Sequence, residues 1–148
     1  MKCTVKQVVE CYKLLGEAKV TKLEDSEVVK VVKARKAMRP IADEYSEFCK
    51  DVQEKTKPEN YEKLAGLNNR AFESWRSDNS YRPTPEEDEA IKVLAEAKKK
   101  ENLMIKDEDS RKVELELESY KLKEDSATKM LVENGWKVGK LDLIEILL

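Results

Sequence analysis

Three groups of residues in this chain are of types that could carry chemistry: the cysteines, the clustered carboxylates and a basic group between residues 30 and 39. Cys3, Cys11 and Cys49 are odd in number and widely spaced, with no CxxC pair, which argues against a disulfide framework or a zinc site and fits a reducing compartment. A nucleophilic cysteine needs its thiolate, and histidine, the usual activating base, is absent from all 148 residues. Lysine or a helix N-terminus would have to substitute. Cys11 falls near the far end of its expected helix and Cys3 just ahead of it, so all three read as small core or surface residues. The acidic runs Glu86-Glu87-Asp88-Glu89 and Asp107-Glu108-Asp109 could serve acid-base catalysis or magnesium only if they converged in a cleft. The second run lacks the glycine and the spacing of a calcium loop, so both read as solvated charge. The expectation is therefore a protein that is not an enzyme and holds no metal or cofactor.

The basic group offers binding rather than catalysis. On a helical wheel Lys30, Lys33 and Lys36 face outward, while Arg35 and Arg39 fall among Val28, Val31, Val32 and Met38. Such a face can grip phosphates or an acidic partner surface. Alternatively, the arginines lay their stems over the core and reach Asp or Glu on a neighbouring helix. Glu114, Glu116 and Glu118, alternating with Val113, Leu115 and Leu117, would line one face of a strand and could mimic nucleic-acid charge. Trp136 and the apolar tail, with Ile144 and Leu147, must either fold back onto the core or be covered by a second chain. Trp75 and Tyr81 are further interface candidates.

Composition limits the partners. Charged residues make up 41% of the chain but nearly cancel, 29 basic against 31 acidic, so no overall field draws it to nucleic acid or an anionic membrane. No stretch is long and apolar enough for a signal-peptide core or a membrane span, which places the protein in the cytoplasm as an expectation. Length and 40% hydrophobic content suit a single domain over 1–148.

The elements that would position these residues are mainly helical. Thr4 and Gln7 form a capping box for a helix over 5–15, with Gly16 as its stop. From Glu27 to about Lys55 a heptad rhythm sets Val31, Met38, Tyr45 and Val52 in one register and Val28, Arg35, Ala42 and Cys49 in the other, suggesting a long helix packed along a partner. Pro40 inside it should kink or split it near Arg39, and the rhythm running past Pro40 favours the kink. Pro58 opens a third helix, with a stripe from Tyr61 to Trp75, that would run antiparallel to the second. Thr84-Pro85-Glu86-Glu87 starts a fourth, ending near Lys98-Lys99-Lys100 and lying on the surface. Beyond Asn102, the alternation over 113–118 predicts a half-buried strand with a bulge or end near Ser119, and Leu103–Ile105 could be its partner strand. Asp125 or Ser126 would cap a short helix through Asn134, closed by Gly135. The expected fold is mainly α, a helical hairpin or small bundle over 1–101 with a minor C-terminal β element and short helix over 102–148.

The layout also resembles a known family. The Val-Val-x-x-Tyr-x-x-Leu pattern at 8–15, the long basic-then-acidic helix near Tyr45-Ser-Glu-Phe, and the late Glu-rich strand with an apolar tail are similar to small tailed-phage proteins of unknown function. The similarity covers about 5–55 and 108–148, rests on no specific motif, and leaves 56–107 unexplained. It implies a phage or prophage origin and no active-site residues. The reading that follows is a non-enzymatic protein-protein interaction or assembly module, possible self-association included, binding a phage or host protein. Alternatives are an inhibitor of a host defence nuclease acting through the acidic strand, and a helical nucleic-acid binder acting through Lys30 to Arg39.

Overall fold

The computed structural model describes residues 1–148. Its elements are β1 (Lys2–Thr4), α1 (Val5–Glu17), α2 (Asp25–Thr56), α3 (Tyr61–Ser77), α4 (Pro85–Ser110), β2 (Lys112–Glu114), a 3-10 turn at Glu118–Tyr120, α5 (Glu124–Asn134) and a C-terminal 3-10 segment, Val138–Leu147. The fold is mainly α with one small antiparallel sheet. Two compact units form: Met1–Phe48 with Asp107–Leu148, and Cys49–Lys106. The expected division at 101/102 falls inside α4.

In the first unit, Thr4 ends β1 and caps α1. Its hydroxyl accepts the Gln7 amide at 3.1 Å, and the Gln7 side chain accepts the Thr4 amide at 2.9 Å, the reciprocal box expected from the sequence. α1 continues through Gly16 to Glu17, because nothing there forces the backbone into the left-handed region that a glycine stop uses. β1 pairs with β2 in the register Lys2↔Glu114, Cys3↔Val113, Thr4↔Lys112, which turns Cys3 and Val113 inward. The strand expected over 113–118 is thus short. Residues 115–117 leave the sheet and lead into the 3-10 turn at Glu118–Tyr120, and the strand's partner is the N-terminal segment rather than Leu103–Ile105.

Those three residues lie inside α4, which has neither glycine nor proline to stop it at Asn102 and runs to Ser110. The acidic residues near that end oppose the helix dipole, and Arg111 answers them, donating from Nε and Nη2 to Glu108 Oε1 at 3.0 and 2.8 Å.

The core of the first unit is built from Val8, Cys11, Leu14 and Leu15 of α1, Val31, Ala34 and Met38 of α2, Met130 of α5, and Ile144, Ile146 and Leu147 of the tail. α1 packs against the tail, and the Leu122 amide donates to Leu147 O at 2.7 Å. The apolar C-terminal run therefore folds back. α5 begins without a capping side chain of its own: Lys123 stands at the cap, and Asp125 and Ser126, the expected caps, lie within the helix. Gly135, at φ +62°, closes it as expected, in the left-handed conformation that favours glycine.

α2 is unbroken across the exposed Pro40. Of its first heptad register Val31 and Met38 are buried in the first unit's stretch and Val52 in the second's, with Tyr45 half-buried; of the other only Ala42 is buried, and Val28, Arg35 and Cys49 are half-buried.

The second unit comprises the last turns of α2, then α3 and α4 as far as Lys106. Its fully buried side chains are few: Val52, Ala71, Glu87 and Ala90. Pro58 precedes α3 rather than opening it, and the helix begins at Tyr61 after Asn60, whose φ is +59°. Around the start of α4, the Thr84 amide and the Tyr81 hydroxyl both donate to Glu87 Oε1, at 3.1 and 2.6 Å. Trp75 Nε1 donates to Tyr81 O at 2.8 Å, tying the end of α3 to the loop that starts α4. No helix is long and apolar enough to cross a membrane.

Candidate binding groove

The buried carboxylates and thiols serve the fold. Burial would raise the Glu27 carboxyl, but donation from Lys30, the Lys123 amide and Ser126 holds it down at about 2. Glu87 is likewise held low, foremost by the Tyr81 hydroxyl and then by the Thr84 amide. Both stay ionised near neutrality and neither is a proton donor there. Burial pushes the Cys11 thiol up to about 12 and raises Cys3, the opposite of what a nucleophile needs. No group of three or more cysteine and carboxylate side chains converges as a metal site would require.

The sequence-predicted interface residues separate into used and available. Ile144 and Leu147 are wholly buried and Trp136 is half-buried against the core, so these three side chains consolidate the first unit. Glu114 receives the N-terminal ammonium at 2.9 Å, and Glu116 accepts the Glu118 amide at 2.9 Å at the start of the 3-10 turn. Three glutamates in a row along one strand face do not form, because the strand ends at Glu114. Lys30 is committed to Glu27 at 2.9 Å, and Lys33 is exposed beyond the groove described next.

The remaining basic residues gather in one place. Tyr12 and Leu15 of α1, Ala18 and Val20 of the connector, and Val31, Val32, Arg35, Lys36 and Arg39 of α2 line a groove of about 310 Å³ in the first unit. α2 brings its contribution to one side because 32, 35, 36 and 39 are helical neighbours. The connector is held by α5: the Asn134 side chain exchanges hydrogen bonds with the Lys19 backbone at 2.7 and 2.9 Å, and Glu133 accepts from the Thr21 amide and hydroxyl. Leu15 and Val31 make a buried floor, whereas Val32 is 61% exposed.

Arg35 lies half-buried across this groove, its guanidinium carbon 4.0 Å above the Tyr12 ring and its Nε donating to Tyr12 O at 3.3 Å. α1 has no basic residue in its last turn, and Arg35 places a positive charge near that end of the helix. The arginine stem covers the core as one sequence reading expected. Yet no carboxylate on a neighbouring helix meets it, and its terminal nitrogens have no acceptor within the chain. Arg39 faces Asp43 on its own helix at 3.7 Å, with both side chains about two-thirds exposed, a contact of little energy. Sequence reasoning located the basic face but missed Tyr12 and Gly16 as its supports. Gly16 could have been suspected, since a glycine inside a helix costs stability unless something needs the space. No family model matches this chain, and no curated protein or solved structure is significantly similar to it.

Proposed function

We propose that this chain is a non-enzymatic protein-protein interaction module whose first unit docks a partner protein in the groove between α1 and α2. The observation that carries the reading is the pairing of an apolar floor, with Val32 left 61% exposed, and a basic rim whose Arg35 has no counter-charge in the chain. Together they offer a partner both an apolar contact and a charge to pair with, the combination that a complementary surface uses. The stretches that resemble small tailed-phage proteins nearly coincide with this unit, and on that resemblance the partner would be a phage assembly protein or a host protein.

A photo-crosslinking side chain in place of Val32 tests the reading. It should yield one defined protein adduct in cells, while the same group in place of Val132, 75% exposed on α5, should not. Equal labelling at both positions, or no protein adduct at Val32, would count against docking. An adduct lost to nuclease treatment would favour the nucleic-acid alternative.

A further inference from the structure

We infer that the groove is built to read an acid: its occupant is an acidic, partly apolar segment of the partner protein, with an apolar side chain seated on Leu15, Val31 and Val32 and a carboxylate taken by Arg35. This inference rests on the docking reading above and gives it a chemical class.

The guanidinium is set in place before any ligand arrives. Its central carbon lies 4.0 Å from the Tyr12 ring centroid and its Nε is tied to Tyr12 O, which leaves the two terminal nitrogens, Nη2 beside Gly16, without an acceptor in the chain. The planar guanidinium fork matches a carboxylate better than an ammonium does. Lys36 and Arg39 line the same groove, so like charges gather there and an incoming anion relieves their repulsion. The weak Arg39–Asp43 contact leaves Arg39 able to join. Gly16 leaves room for this seat: a Cβ at that position would stand 2.7 Å from Arg35 Nη2, so a side chain there would push the flexible end of the arginine aside. A groove of about 310 Å³ is at the low end of ligand-site volumes, roughly 300–1,000 Å³, and suits anchoring side chains rather than a whole helix. A nucleic-acid strand fits less well, since the aromatic face that would stack a base is already covered by Arg35.

The test uses the full chain and fluorescence anisotropy with three labelled probes: a short peptide of alternating leucine and glutamate clusters, the same peptide with glutamine for glutamate, and a single-stranded oligonucleotide. The acidic peptide should bind about tenfold or more tightly than its glutamine twin, the amount that a charge-assisted hydrogen bond contributes. Arg35→Gln should abolish that preference, and Arg35→Lys should retain only part of it. Gly16→Ala should weaken it, by pushing the guanidinium aside, while melting at or above the wild-type temperature because alanine favours helix. That opposition of binding and stability is something a merely structural glycine would not produce. If both peptides bind equally, or if the preference survives Arg35→Gln or is undiminished in Gly16→Ala, acid reading is overturned and docking stands. If neither peptide binds, whether or not the oligonucleotide does, the inference and the docking reading both fall.

Discussion

Glu27, in the first turn of α2, caps a helix that begins almost a hundred residues later: its Oε1 accepts from the Ser126 hydroxyl and the Lys123 amide, both at 2.8 Å. The free amides at a helix start need an acceptor, and the Lys123 side chain cannot be one. The other carboxylate oxygen holds Lys30 at 2.9 Å, so a single buried side chain joins the starts of α2 and α5.

Glu27→Ala should therefore lower unfolding free energy by about 2–3 kcal/mol, as loss of a charged acceptor from buried donors does. The Glu27 carboxyl is held at about 2 in the folded chain against 4.5 ordinarily. A depressed carboxyl contributes stability that is fully present above its unfolded pKa and is lost as pH falls toward its folded one. Urea unfolding of wild type and variant should thus differ most above pH 4.5 and converge as pH approaches 2.

The folded-back tail gives a second expectation. Ile144→Ala and Leu147→Ala should each destabilise by about 2–5 kcal/mol, because both side chains are wholly enclosed. Val138→Ala, on the same segment but 74% exposed, should change stability by less than about 0.5 kcal/mol. Losses at 144 and 147 that vanish with protein concentration would instead mean that a second chain covers the tail.

Pro40 sits exposed within α2 and supplies no amide to its ladder. Pro40→Ala should raise stability by on the order of 1–3 kcal/mol, up to the full helix penalty of proline. Chemical denaturation is the measurement, and a loss of stability would show that the proline shapes the helix in a way the core requires.

The thiols should react in an order set by burial. Cys49 is half-buried, whereas Cys3 and Cys11 are enclosed with their thiols pushed up. Under native conditions a disulfide reagent should modify Cys49 first and leave Cys11 unmodified until the chain unfolds. Rapid native labelling of Cys11 would mean that the first unit opens readily.

Much of the fold could be read from neighbouring residues. The Thr4–Gln7 and Thr84–Glu87 boxes and the Gly135 stop are interactions within a few positions, so residue type and spacing are enough to specify them. The α2 heptads likewise identified its inward face through Val31, Met38 and Val52. Errors came where a local signal was ambiguous: Gly16 looked like a stop and Leu103–Ile105 like a strand. In the first case the side chain of Arg35, distant in sequence, lies against the glycine, and in the second nothing interrupted good helix formers.

From its residues alone, this protein is mainly helical, nearly neutral, without histidine and basic along one stretch of α2, since composition and periodicity act locally. Folding had to assign the partners. Hydrophobic pattern says that a side chain is covered but not by what, so the tail's return to α1, the pairing of β1 with β2, the Glu27 cap on α5 and the seat of Arg35 between Tyr12 and Gly16 arise only once segments far apart in the chain are brought together.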